Sequence, residues 1–221
     1  MNKAVAILLT LFSSSIAIAQ RPLDELYTPA RFLSGKSPEQ PPLAAEGGVT
    51  VLEVHVAPSG IVTDAVVLDE ASPYTETIRQ VTTLWRFRPA EEDGAAIASR
   101  VLVVGVFRPP VLMGTALAEP TSVRLPSEAV PYPMGPMPVP EYPPNALFEG
   151  VAMVEVEIDD AGDVVVAKML SPERGFDETA LDAARRFRFR PARHEGRPVP
   201  SFALIFFGFR QPLTTPGLPR R

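Results

Sequence analysis

The chain has 221 residues, of which 46% are hydrophobic and 21% charged, with a formal net charge of −5. The acidic balance excludes a nucleic-acid role driven by bulk charge, and the lack of cysteine excludes disulfides and thiolate metal sites. The 26 Pro and 14 Gly residues fall short of the roughly 25–30% share that marks an aperiodic disordered chain.

Residues 1–20 read as a targeting segment. Lys3 precedes an apolar run from Ala4 to Phe12, three serines follow, and Ala17-Ile18-Ala19 forms an A-x-A-like cleavage site. The run is shorter than the roughly 20 apolar residues a spanning helix needs. A cleaved secretory signal is therefore expected, with a short uncleaved inner-membrane anchor as the alternative. The expected location is the periplasm, or the periplasmic side of the inner membrane if the anchor stays. An N-terminal segment at 21–37 precedes the first folded unit.

Sliding the chain by 102 residues aligns it on itself. Pro38-Glu39-Gln40-Pro41-Pro42 matches Pro140-Glu141-Tyr142-Pro143-Pro144. Gly48-Val49 matches Gly150-Val151, and Glu53-Val54 matches Glu155-Val156. Gly60 matches Gly162, Phe87-Arg88-Pro89-Ala90 matches Phe189-Arg190-Pro191-Ala192, and Phe107-Arg108 matches Phe209-Arg210. Two tandem units are expected, at 38–108 and 140–210, with a tail at 211–221. The intervening 109–139 carries eight prolines and is expected to be an extended, semi-rigid spacer.

Each unit reads β-β-α-β, an α+β fold. In the second, Ala152, Val154, Val156 and Ile158 alternate with Met153, Glu155 and Glu157, the period of a half-buried strand. Asp159-Asp160-Ala161-Gly162 supplies a turn, and Val164 to Leu170 is the returning strand. Phe176, Ala180, Ala183 and Phe187 form a helical stripe, as do Tyr74, Ile78, Val81 and Trp85 in the first unit. His194-Glu195-Gly196-Arg197 is a turn, and Ser201 to Phe209 is a final, nearly all-apolar strand. Each unit is then expected to be a three-stranded antiparallel sheet with one helix on one face. So small a core is marginal, which favours pairing of the units or a homodimer.

Little in the sequence points to catalysis. Asp159-Asp160 and Glu91-Glu92-Asp93 fall in predicted turns, not across a cleft as glycoside hydrolysis requires. His55 and His194 are distant in sequence and read as surface residues. No phosphate-binding glycine loop or nucleophile motif appears. The expectation is a non-enzyme without metal or cofactor.

The second unit resembles the C-terminal domain of the TonB family. The matching elements are Tyr142-Pro143-x-x-Ala146, Gly150 and Gly162, then Ser171-Pro172 and Phe176-Asp177-x-x-Ala180-Leu181-x-Ala183-Ala184. Phe187-Arg188-Phe189-Arg190-Pro191-Ala192 and Gly196-Arg197-Pro198-Val199 follow, before the final strand to Phe209. The first unit resembles the domain more weakly, through Leu84-Trp85-Arg86-Phe87-Arg88-Pro89-Ala90. The resemblance implies binding of outer-membrane receptor segments, or other envelope proteins, by strand addition to an exposed sheet edge. Some relatives of this kind also associate with peptidoglycan. An energy transducer for TonB-dependent transport, or a peptidoglycan-associated structural protein, is the alternative role. The apparently cleavable N-terminus, the absence of a long Pro/Lys-rich spacer and the doubled domain all depart from a complete transducer.

Two sites follow. The final strand, through Phe202, Ala203, Leu204, Ile205, Phe206 and Phe207, is the expected peptide-accepting edge, with self-pairing as the competing use. Arg186, Arg188 and Arg190 are candidate contacts for an anionic partner, against the plainer reading of a solvated charged face.

Overall fold

The computed structural model describes residues 27–41, 47–109, 116–120, 124, 126–143, 146, 148–172 and 175–211. The targeting segment and nearly all of the C-terminal tail lie outside the described residues.

Six strands make one sheet. They are β1 (Gly48–Val56), β2 (Val62–Asp69), β3 (Ser99–Phe107), β4 (Gly150–Ile158), β5 (Val164–Ser171) and β6 (Ser201–Phe209). Helix α1 (Tyr74–Thr82) follows β2, and α2 (Asp177–Arg185) follows β5. The fold is α+β, with both helices in the places the stripes predict. The strand order is β5-β4-β6-β3-β1-β2. Within each half the pairs are antiparallel, while β6 and β3 pair in parallel. The expectation of separate three-stranded sheets is therefore corrected: the two final strands join into one continuous sheet.

The register at this seam explains the symmetry. Ala203 pairs with Leu102 and Ile205 with Val104, an offset of 101, one residue less than the internal repeat of 102. A slip of one residue moves every side chain to the opposite face of the pleat. Equivalent residues of the two halves thus point to opposite faces, and the helices pack on opposite sides. Phe176, Ala180, Ala183 and Phe187 sit in a core with Val154, Ile205 and Phe207, and with Val104 and Val106 from the first half. Tyr74, Ile78 and Trp85 sit in the other core with Leu52, Val54 and Val103, and with Leu204 and Phe206 from the second half. β3 and β6 are covered on both faces, which is why Val101–Phe107 and Phe202–Phe209 are almost continuously apolar.

Local chemistry repeats as well. Gly60 and Gly162 take φ of 79° and 92° in the two hairpin turns, and their carbonyls accept from the N–H of Phe87 and Phe189, each at 2.9 Å. A Cβ at Gly60 would strike the Phe87 carbonyl oxygen, and one at Gly162 that of Phe189. Only glycine satisfies both the left-handed φ and the close approach. In α1 the stripe is rotated slightly from expectation: Thr82 is fully buried and Val81 half-buried. The Thr82 hydroxyl donates to the Arg79 carbonyl at 2.8 Å, so its burial leaves no unmet donor.

The segments before each half are part of the cores. Arg31–Ser34 pairs with Arg86–Arg88, and Tyr132–Pro133 pairs with Phe189–Arg190, both antiparallel. Trp85 Nε1 donates to the Lys36 carbonyl at 3.0 Å. Val130, Met137 and Val139 are each 0% exposed and pack on the α2 side beside Val51, Leu102 and Val104. The spacer expected at 109–139 thus packs against the core through Val130, Met137 and Val139. The sheet face opposite α1 in the first half is apolar, and these three side chains cover it.

Candidate functional site

The strand singled out as the accepting edge is central. β6 pairs with β4 from Ser201 to Phe209 and with β3 from Ala203 to Gly208. Its backbone is engaged on both sides, and Ala203 to Phe207 are buried with Phe202 half-buried. Phe202, Ala203, Leu204, Ile205, Phe206 and Phe207 thus form core and seam, and the edge expectation is corrected. The physical reason is self-pairing: each half offers its final strand to the other, which closes both edges.

The edges of the joined sheet are β2 and β5. Among the described residues no strand pairs with the outer side of either. They differ in chemistry. The outer strand of the second half reads Val164-Val165-Val166-Ala167-Lys168-Met169-Leu170, and Val165 and Val166 are 55% and 49% exposed. The first half has exposed Thr63 and Asp64 at the corresponding positions. Charged and polar residues discourage strand addition, whereas β-branched apolar ones favour it. β5 is therefore the more receptive edge. Sequence reasoning placed this strand but not its exposure, although its three consecutive valines lack the polar alternation of a blunted edge.

The arginine run is tied into the fold. Arg186 Nη2 donates to the Val139 carbonyl at 3.2 Å. Arg188 pairs with Asp163 at 3.0 Å and donates to the Phe187 carbonyl at 2.9 Å. Arg190 Nη2 donates to the Ser127 carbonyl at 3.1 Å, and its guanidinium lies 5.9 Å from the centre of the Tyr132 ring. These three bind the linker and hairpin to the second half. Arg186 and Arg188 remain exposed, with Arg188 bridged to Asp163 just before the start of β5.

Two buried carboxylates, at equivalent positions of the repeat, secure the junction between halves. Glu155 accepts from Arg31 Nη2 at 2.8 Å and from the Phe32 N–H at 3.3 Å. Glu53 Oε1 lies 3.1 Å from His55 Nε2 and 3.3 Å from Arg100 Nη1, while Oε2 accepts from the Ser127 N–H at 3.0 Å. Each carboxylate thereby fastens the segment that precedes the opposite half. His194 bonds Glu92 at 2.8 Å and stacks on Tyr27 at 4.4 Å between ring centroids. Burial, and secondarily the charge of Glu92, raises the pKa of Tyr27. Among the described residues no three His, Cys, Asp or Glu side chains are grouped to hold a metal ion.

Residues 138–210 match the family described as Gram-negative bacterial TonB protein C-terminal. The match spans 73 of the 221 residues, about a third of the chain. It takes in β4, β5, α2 and β6, and the first half lies outside it. No curated protein matches the chain. Among the described residues no helix is long and apolar enough to cross a membrane.

Proposed function

We propose that this is a periplasmic TonB-like binding protein, not an enzyme, that takes an extended segment of an outer-membrane receptor or other envelope protein as an added strand. The observation that carries the reading is the open, valine-rich outer strand β5, which lies within the residues matching the TonB C-terminal family. Strand addition draws its affinity from main-chain hydrogen bonds, and alternate side chains tune specificity. With β6 closed by β3, the accepting edge in this chain is β5. The final strand of the first half, β3, is the partner that closes β6.

The test is photo-cross-linking in the cell envelope, with a benzophenone side chain placed at Val166 and, separately, at Asp64 on β2. Adducts containing an outer-membrane receptor or another envelope protein are expected from position 166 and not from position 64. Absence of any envelope-protein adduct from either position refutes the proposal. Retention of the protein on purified sacculi without such adducts favours the peptidoglycan-associated role instead. Recovery in the inner membrane with Met1 intact favours the anchored transducer.

A further inference from the structure

The seam between the halves carries a second feature, far in chemistry from the valine edge. An open cleft of about 500 Å³ is lined by His55 and Arg100, a cross-strand pair of β1 and β3, and by Arg193 and His194. Tyr27 and Ala129, from the segments that precede the two halves, also line it. Its size suits a small ligand or a peptide end.

The charge of this lining is organised. Glu53 stands behind it with its side chain only 7% exposed, holding His55 and Arg100 through one oxygen. Glu92 holds His194 from the other side. A guanidinium has five N–H donors in a rigid fork. Arg100 meets Glu53 through Nη1, and Arg193 uses Nη1 to donate to the Gly196 carbonyl at 2.7 Å. Each guanidinium thus keeps donors beyond those contacts, with Arg100 fixed by the buried Glu53 and Arg193 by the Gly196 carbonyl.

The internal repeat provides a control. An offset of 102 turns His55 and Arg100 into Glu157 and Phe202, which also pair across their strands. These two line a smaller pocket of about 290 Å³ with Arg31 and Arg88. There Arg31 lies 3.8 Å over the Phe202 ring and is paired with Glu155. The fold therefore accepts a carboxylate and a phenyl ring where the first half has a histidine and an arginine, and packing does not require the latter pair. The sibling pocket also holds two arginines, but its Arg31 is taken up by Glu155 and the Phe202 ring.

We propose that the cleft between His55, Arg100, Arg193 and His194 binds a carboxylate group, presented by a peptide C-terminus or by an acidic side chain. Two arginine side chains lining one opening suit the planar, bidentate geometry of a carboxylate. The site is independent of strand addition at β5, so either can fail without the other.

The test is a titration of the full chain followed by amide chemical shifts. The probes are acetyl-trialanine as the free acid, the same peptide as its C-terminal amide, and amidated acetyl-Ala-Asp-Ala. Saturable shifts at Ser99, Ala129 and His194 are expected with a carboxylate-bearing peptide and not with the uncharged amide. The free acid and the Asp peptide together identify which source of carboxylate is preferred. Arg193→Gln is the informative variant, because Arg100 also holds the buried Glu53 and its loss would disturb the fold. An at least fivefold weaker apparent affinity is expected for it, with the remaining spectrum unchanged. The proposal is overturned by equal shifts with the uncharged amide, by undiminished binding in Arg193→Gln, or by no saturable change up to on the order of 10 mM peptide.

Discussion

Replacing Phe206 by Ala cuts into the junction on which the joined sheet depends. Phe206 belongs to β6 of the second half, yet its ring is fully buried in the α1-side core and lies 5.7 Å from the Trp85 ring of the first half. Its register neighbours are Met153 on β4 and Gly105 on β3. Gly105 offers no side chain to refill the space, and a Cβ there would already press to 2.6 Å against Ile78. The site therefore collapses poorly, and the cost belongs in the range of about 3–5 kcal/mol measured for large aromatic truncations. For a chain of this size each kcal/mol corresponds to roughly 2–4 °C, so the midpoint should fall by about 6–20 °C. Thermal and denaturant unfolding should be followed by far-UV circular dichroism and by Trp85 fluorescence. Trp85 is the sole tryptophan and sits in the first half. If the halves share one core, both signals shift together in a single transition. A fluorescence transition that stays at its original midpoint while part of the dichroism is lost earlier would show independent halves and refute the reasoning.

Four further outcomes follow. Gly162→Ala forces a side chain into a left-handed turn against the Phe189 carbonyl and should cost on the order of 1–3 kcal/mol; denaturant unfolding with less than about 0.5 kcal/mol of loss would contradict the geometry. Arg31→Ala strips the charged partner from Glu155, whose side chain is 5% exposed, and should cost about 1–3 kcal/mol. Pairing it with Glu155→Leu should recover most of that loss, and a double variant less stable than Arg31→Ala would argue against the buried-charge account. Because the folded state raises the pKa of Tyr27, chiefly by burial and then by Glu92, the proton is held more tightly than in the unfolded chain. The associated stability is present below about pH 10 and is lost as pH rises through the folded-state pKa; Tyr27→Phe should show a shallower alkaline decline, and an identical decline would discount this contact. Mass spectrometry of the native protein should find a mature start near Gln20, and a membrane-bound product retaining Met1 would establish the anchor instead.

Much of the local structure was legible because it rests on short-range chemistry. The hairpin glycines, the helical stripes and the bounds of the final strand depend on periodicity and turn residues that a single sequence displays. What escaped was the placement of the final strand. Its apolar run by itself reads as a core strand with one open backbone side, because a lone β-β-α-β unit leaves that side free. The same run, with its partner Val101–Phe107, carries the pattern of strands covered on both faces, which is the signal of a central position. The linker misled for a related reason. Its prolines fit an extended chain, and an extended chain can lie across an apolar sheet face as readily as it can span solvent. Val130, Met137 and Val139 are the residues that make it do so. The repeated Glu53 and Glu155 were visible as a matched pair, but their burial depends on arginines and two backbone amides, those of Phe32 and Ser127, supplied from elsewhere in the chain.

Residue-resolved amide hydrogen exchange tests the central claim most directly, that β6 is closed at the seam while β5 is open. The amides of Ala203 to Phe207 should exchange through global unfolding, because β4 and β3 engage them from both sides. Alternate amides of Val164–Ser171 should exchange far faster, since an edge strand pairs only one side of its backbone. Alternating fast exchange along Ala203–Phe207, or uniform strong protection along Val164–Ser171, would contradict the account.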